Sequence, residues 1–142
     1  MLTLMLIMHL AFMGLGIGLS CSNFVNTRLA AGQKGDIAKG LALQRRTIAS
    51  IGDTVITAIW LSGFLLLQLR GWEGLNAWFY AKIGFVVLLT VGHIMARRTG
   101  AEMMRTSNGA LLPRLSLYIA GVWVSALIAL ALAVLAFNSV SL

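Results

Sequence analysis

Four ionisable side chains sit inside long apolar runs of this sequence: His9, Asp53, Lys82 and His93. Lys82 and His93 share the stretch Trp78–Arg98, WFYAKIGFVVLLTVGHIMARR, which has an aromatic cluster at one end and an arginine pair at the other. A membrane span tolerates such groups only for a reason, because each is costly in lipid. Lys82 and His93 are eleven residues apart, which at about 100° per residue is three turns plus roughly 20°, so both project from one helix face. Phe85, Val86 and Leu89 lie on the stripe between them. On the face of His9 follow Met13, Gly16 and Ser20. An imidazole in this setting can ligate a haem iron, and a lysine can hold an acidic group. No nucleophile–base pair, phosphate loop or nucleic-acid motif accompanies them.

The elements that carry these residues follow from composition. Of 142 residues 59% are hydrophobic and only 11% charged, against about 25% charged in a soluble domain. So few charges cannot cover a water-exposed surface, so the solvent of this chain is a lipid bilayer. The expected fold is an all-α bundle of four transmembrane helices forming one domain over residues 1–142, with spans at about 2–24, 48–69, 78–96 and 115–137. The first run resembles a signal peptide in hydropathy. It lacks a basic n-region, and Gly18-Leu19-Ser20-Cys21 is a poor lipobox, so it reads as a retained span. Gly14, Gly16 and Gly18 permit close helix approach, and Ala126, Ala129, Ala133 and Ala136 form a small-residue packing stripe on the fourth span. Asp36 is the expected N-cap of a helix that runs from the first loop into the second span. Trp72, Trp78, Phe79 and Tyr80 read as an interfacial aromatic belt.

The net charge of +7 lies between the apolar runs, which indicates membrane topology and no nucleic-acid partner. Loop one, residues 27–47, holds Arg28, Lys34, Lys39, Arg45 and Arg46; loop three, residues 97–115, holds Arg97, Arg98, Arg105 and Arg114; the middle connection holds only Arg70. Nine basic residues against one place loops one and three in the cytoplasm and both termini on the other side, as in a multi-pass protein of the inner (cytoplasmic) membrane. The single cysteine, Cys21, excludes an internal disulfide and reads as a small packing residue. Two histidines and one cysteine on separate segments lack the spacing of a zinc site.

Depth sorts the polar residues into two layers. His9 lies about 10 Å and Lys82 about 6 Å from the end that carries the termini, at 1.5 Å per residue, and these two can share one layer. Asp53 and His93 each lie about one turn from the basic end and can share the other. His9 and His93 then differ in depth by about 12 Å, too much for the two axial ligands of one haem. His9 is the better ligand, deeper and beside a glycine-rich surface. Each residue also has a plainer reading. His9 can be a buried histidine bonded to another helix. Lys82 can snorkel to the interface. Asp53 can reach the interface or pair with an arginine, and His93 can sit interfacially.

The ordered set of a first-helix histidine, a basic loop, a glycine-bearing apolar helix, Trp78-Phe79-Tyr80-Ala81-Lys82 and Gly92-His93 resembles the HemJ-type protoporphyrinogen oxidases. The wider group of small four-helix membrane proteins, including copper-resistance D-like proteins, is similar too. The resemblance implies haem b within the helices and oxidation of protoporphyrinogen IX with electrons passed to a membrane acceptor. His9 matches the family's first-helix histidine, its haem-iron ligand, and Lys82 its third-helix lysine. The chain departs from the family where a tryptophan and a Leu-Pro-Arg-Leu-Phe run would follow the first histidine; here the stretch reads Gly18 to Asn26, GLSCSNFVN. The family's Asn-Glu-x-Pro entry to helix four is also absent. The other expectation is a non-catalytic accessory or assembly subunit, a homo-oligomer or part of a larger respiratory or photosynthetic complex. Its motive is small size, small-residue stripes and the lack of a complete catalytic set.

Overall fold

The computed structural model describes residues 1–71 and 75–138. Four helices account for almost all of them: α1, Leu2–Leu29; α2, Gly35–Arg70; α3, Ala77–Thr106; and α4, Leu112–Asn138, preceded by a 3-10 turn, Gly109–Leu111. Each is long and apolar enough to cross a membrane. In lipid a helix satisfies its own backbone groups within the segment, so apolar composition and helical backbone go together. The chain is an all-α multi-pass membrane bundle.

The helices outrun the expected spans. At 1.5 Å per residue the 36 residues of α2 extend about 54 Å, well beyond a hydrocarbon core of about 30 Å. The first basic loop is therefore mostly helix. Only residues 30–34 connect α1 to α2, and α3 carries its arginines about three turns past the apolar run before ending at Thr106. Lys34, not Asp36, is the N-cap of α2; Asp36 lies in the first turn and pairs with Lys39 at 3.2 Å. Asn76 caps α3, its side chain accepting from the backbone N–H of Phe79 at 3.0 Å.

α4 packs most extensively against α3, and α1 against both α2 and α4, so the order around the bundle is α3, α4, α1, α2. The inward stripe of α4 is Leu115, Ile119, Val122, Ala126, Ala129 and Ala133, all buried at alternating spacings of four and three. Small residues let backbones approach, which is how van der Waals packing holds helices together where lipid removes the hydrophobic drive. The side chain of Ala136 falls outside those described. Outward-facing Ile7, Leu61, Leu88 and Leu117 give the bundle an apolar exterior. Cys21 is on that exterior and packs against no interior, contrary to its expected role. Of the aromatic cluster, Trp78 and Tyr80 are exposed, Phe79 turns inward, and Trp72 lies outside the described residues.

The consecutive helices α2 and α3 barely touch. Side chains bridge their seam. Trp60 Nε1 donates to Thr90 Oγ1 at 3.1 Å, and Asp53 meets both His93 Nε2 at 2.7 Å and Arg97 Nη1 at 2.9 Å. Where α2 and α3 stand apart the bundle holds a large cavity.

Candidate functional site

That cavity has a volume of about 730 Å³ and lies at the end of the bundle that carries the N-terminus. Its walls come from all four helices, among them Leu6 and His9 of α1, Trp60 and Arg70 of α2, Phe79 and Lys82 of α3, and Leu130 of α4. The lining is overwhelmingly apolar, with a few convergent polar groups, and the size falls in the usual range of about 300–1,000 Å³ for small-molecule sites. Two basic residues and one histidine line it; among the described residues no Asp or Glu does.

His9 is the most enclosed of these groups, only 4% exposed. α1 and α3 lie diagonally opposite each other in the bundle and make no close backbone approach. Even so, Lys82 spans the diagonal and brings Nζ to 3.5 Å from His9 Nε2. On the other side of the ring Nδ1 lies 2.7 Å from Ser62 Oγ, and that hydroxyl lies 2.6 Å from the carbonyl oxygen of Ala58. A hydroxyl has one hydrogen. Ser62 spends it on Ala58, one helical turn back, so His9 Nδ1–H donates to Ser62 Oγ. His9 Nε2 is then the acceptor, with its lone pair toward Lys82 and the cavity. Sequence reading missed Ser62. The signal was there: a serine two-thirds along the apolar run of α2, beside Gly63, at the depth of His9.

Gly63 has its own part. A Cβ at that position would sit 3.3 Å from His9 Cε1, so the imidazole ring lies against bare backbone. The same device recurs at the other layer, where a Cβ at Gly52 would sit 2.9 Å from His93 Cε1. Gly52 and Gly63 are eleven residues apart on α2, about 16 Å along its axis. Each histidine therefore turns the Cε1 edge of its ring to its own α2 glycine, and the two stay in separate layers.

The four residues singled out in the sequence thus fall into two pairs, His9 with Lys82 and Asp53 with His93, the second joined by Arg97. Among the described residues no three His, Cys, Asp or Glu side chains cluster as a metal site. Lys82 does not snorkel away; it is largely enclosed and aimed at His9. Asp53 is about half exposed and His93 much less.

A further polar knot closes the basic end. Arg45, counted in the sequence as a loop charge, is buried. Its Nη1 donates to Asn26 Oδ1 at 3.2 Å, and Asn26 Nδ2 donates to Gln44 Oε1 at 2.7 Å. These bonds tie the last turns of α1 to the extension of α2 beyond its apolar run, where the basic residues gather.

Comparison with protein-family models, with curated proteins and with solved structures found no match.

Proposed function

We propose that this chain is an inner-membrane, haem-b-binding protein of the HemJ-like oxidoreductase type, with its basic ends in the cytoplasm. The observation that carries the reading is the held imidazole of His9, with Nδ1 fixed by Ser62 and Nε2 directed into a cavity of about 730 Å³. An orienting hydrogen bond on one ring nitrogen fixes the tautomer and leaves the other as donor to a metal. The residues fit such a group: His9 would hold the haem iron through its imidazole. Lys82 and Arg70 line the same space and would supply positive charge for the acidic groups of a bound porphyrin. The bound haem would supply one-electron redox chemistry. The protein's own part is to hold the imidazole, exclude water with an apolar wall and draw in an acidic porphyrin; the family resemblance makes protoporphyrinogen IX the substrate. The seam between α2 and α3 suits a substrate that arrives from the bilayer.

The accessory-subunit reading loses one of its motives, since Ala126, Ala129 and Ala133 are buried within the chain's own bundle. The decisive measurement is the absorption spectrum of protein purified from haem-replete cells. A Soret band at about one haem per chain is expected, and its absence removes the haem reading.

A further inference from the structure

A second, smaller cavity lies toward the basic end of the bundle, with a volume of about 60 Å³. Its lining is apolar except for Ser20 and Asn23 of α1 and His93 of α3. Asn23 Oδ1 is buried and has no hydrogen-bond partner in the protein. A buried carbonyl oxygen without a partner forfeits about 1–3 kcal/mol, so such groups are normally satisfied by ordered water. A water needs about 10–15 Å³ of such space and two to four polar partners, and this cavity offers both.

His93 links this interior space to the surface. Its ring forms part of the cavity wall, while Nε2 is bonded to Asp53, a carboxylate about half exposed and also paired with Arg97. Gly52, with no side chain, leaves room for the Cε1 edge of the ring against α2 at that point. The charged groups around His93 are Asp53 of α2 and, through it, Arg97 of α3. α1 contributes the neutral Ser20 and Asn23, and α4 the apolar Ile119 and Val122. At the far end the cavity is walled by Met13, Ile59 and Val86, and the same three residues wall the larger cavity that holds His9.

We propose that this smaller cavity is a hydrated half-channel, entered past Asp53 and His93, that brings water and exchangeable protons from the basic end of the bundle to the middle of the membrane. Asn23 Oδ1 and Ser20 anchor its water. The septum of Met13, Ile59 and Val86 separates it from the His9 cavity. An imidazole at the mouth takes a proton from bulk on one side as it yields one to cavity water on the other, so no net charge accumulates. The half-channel stands on its own geometry, and the haem reading can fail without affecting it.

Silver ion, close to water in size and reactive toward thiolate, tests the route. In a Cys21→Ala background, Ser20→Cys places a thiol in the cavity and Gly18→Cys places one on the lipid-facing side of α1. In membranes, Ser20→Cys should be blocked by silver several-fold faster than Gly18→Cys, scored by later alkylation of the denatured protein. Adding His93→Phe, which fills the mouth with an apolar ring, should slow the block at Ser20→Cys. Asp53→Asn, which keeps the shape, serves where His93→Phe fails to fold and should slow it too. Equal rates at the two thiols overturn the half-channel. A fast rate at Ser20→Cys that neither mouth variant slows overturns the entry past His93.

Discussion

His9 Nε2 and Lys82 Nζ meet at 3.5 Å across the diagonal of the bundle, between two helices whose backbones make no close approach. The contact joins a lone pair held in place by Ser62 to a flexible basic side chain. A ligand with an acidic group and a flat apolar body can separate them, giving the lysine a carboxylate and leaving the imidazole nitrogen free.

Lys82→Met should therefore impair cofactor retention while leaving membrane insertion intact, since it removes a charge and adds apolar volume. Lys82→Arg should be milder without being silent, because guanidinium and ammonium differ in shape and hydration. Haem content per chain after detergent purification is the measurement. Unchanged content in Lys82→Met would mean the lysine is only a packing partner of His9.

Ser62→Ala deletes the group that fixes the His9 tautomer. Loss of an orienting partner typically costs about 10–100-fold in metal affinity, so haem retention should fall by roughly that factor while the helical content stays as it was. Ser62→Thr keeps the hydroxyl and should recover most of it. A Soret position and reduction potential identical to wild type in Ser62→Ala would dissociate the serine from the site.

Gly52→Ala forces a methyl to 2.9 Å from the His93 ring. The ring and its bond to Asp53 must shift, at a cost of about 1–3 kcal/mol for an overpacked contact. Gly84→Ala is the control, since a Cβ there meets nothing within 4 Å. Thermal unfolding in detergent should separate the two, with Gly52→Ala lower in Tm and Gly84→Ala close to wild type. Equal midpoints would show that the histidine accommodates the methyl freely.

Topology is open to direct labelling. In a Cys21→Ala background, Lys39→Cys at the start of α2 and Glu73→Cys, which lies outside the described residues, should react with a membrane-impermeant thiol reagent from opposite sides. Lys39→Cys should be the cytoplasmic one, following the nine-to-one charge bias. Labelling of both from one side would contradict the arrangement.

What the sequence determined by itself is local. Four apolar runs set four helices, because lipid compels each span to close its own backbone hydrogen bonds. The fixed rise of 1.5 Å per residue then set depth, so His9 with Lys82 and Asp53 with His93 were legible as two layers before any packing was known. The ends were less legible. Charge ended the expected spans at residues 24 and 96, yet α1 and α3 continue to Leu29 and Thr106, since polar residues past the bilayer surface can remain helical. Only the tertiary structure decided which helices adjoin. That α2 and α3, neighbours in sequence, stand apart while Lys82 reaches across to α1 depends on how far small-residue surfaces let α4 draw α1 and α3 inward. The same holds for Ser62 under His9, for Gly52 and Gly63 under the two imidazoles, and for the burial of Arg45. Each is a property of two helices at once, and the periodicity of one helix carries no term for the other.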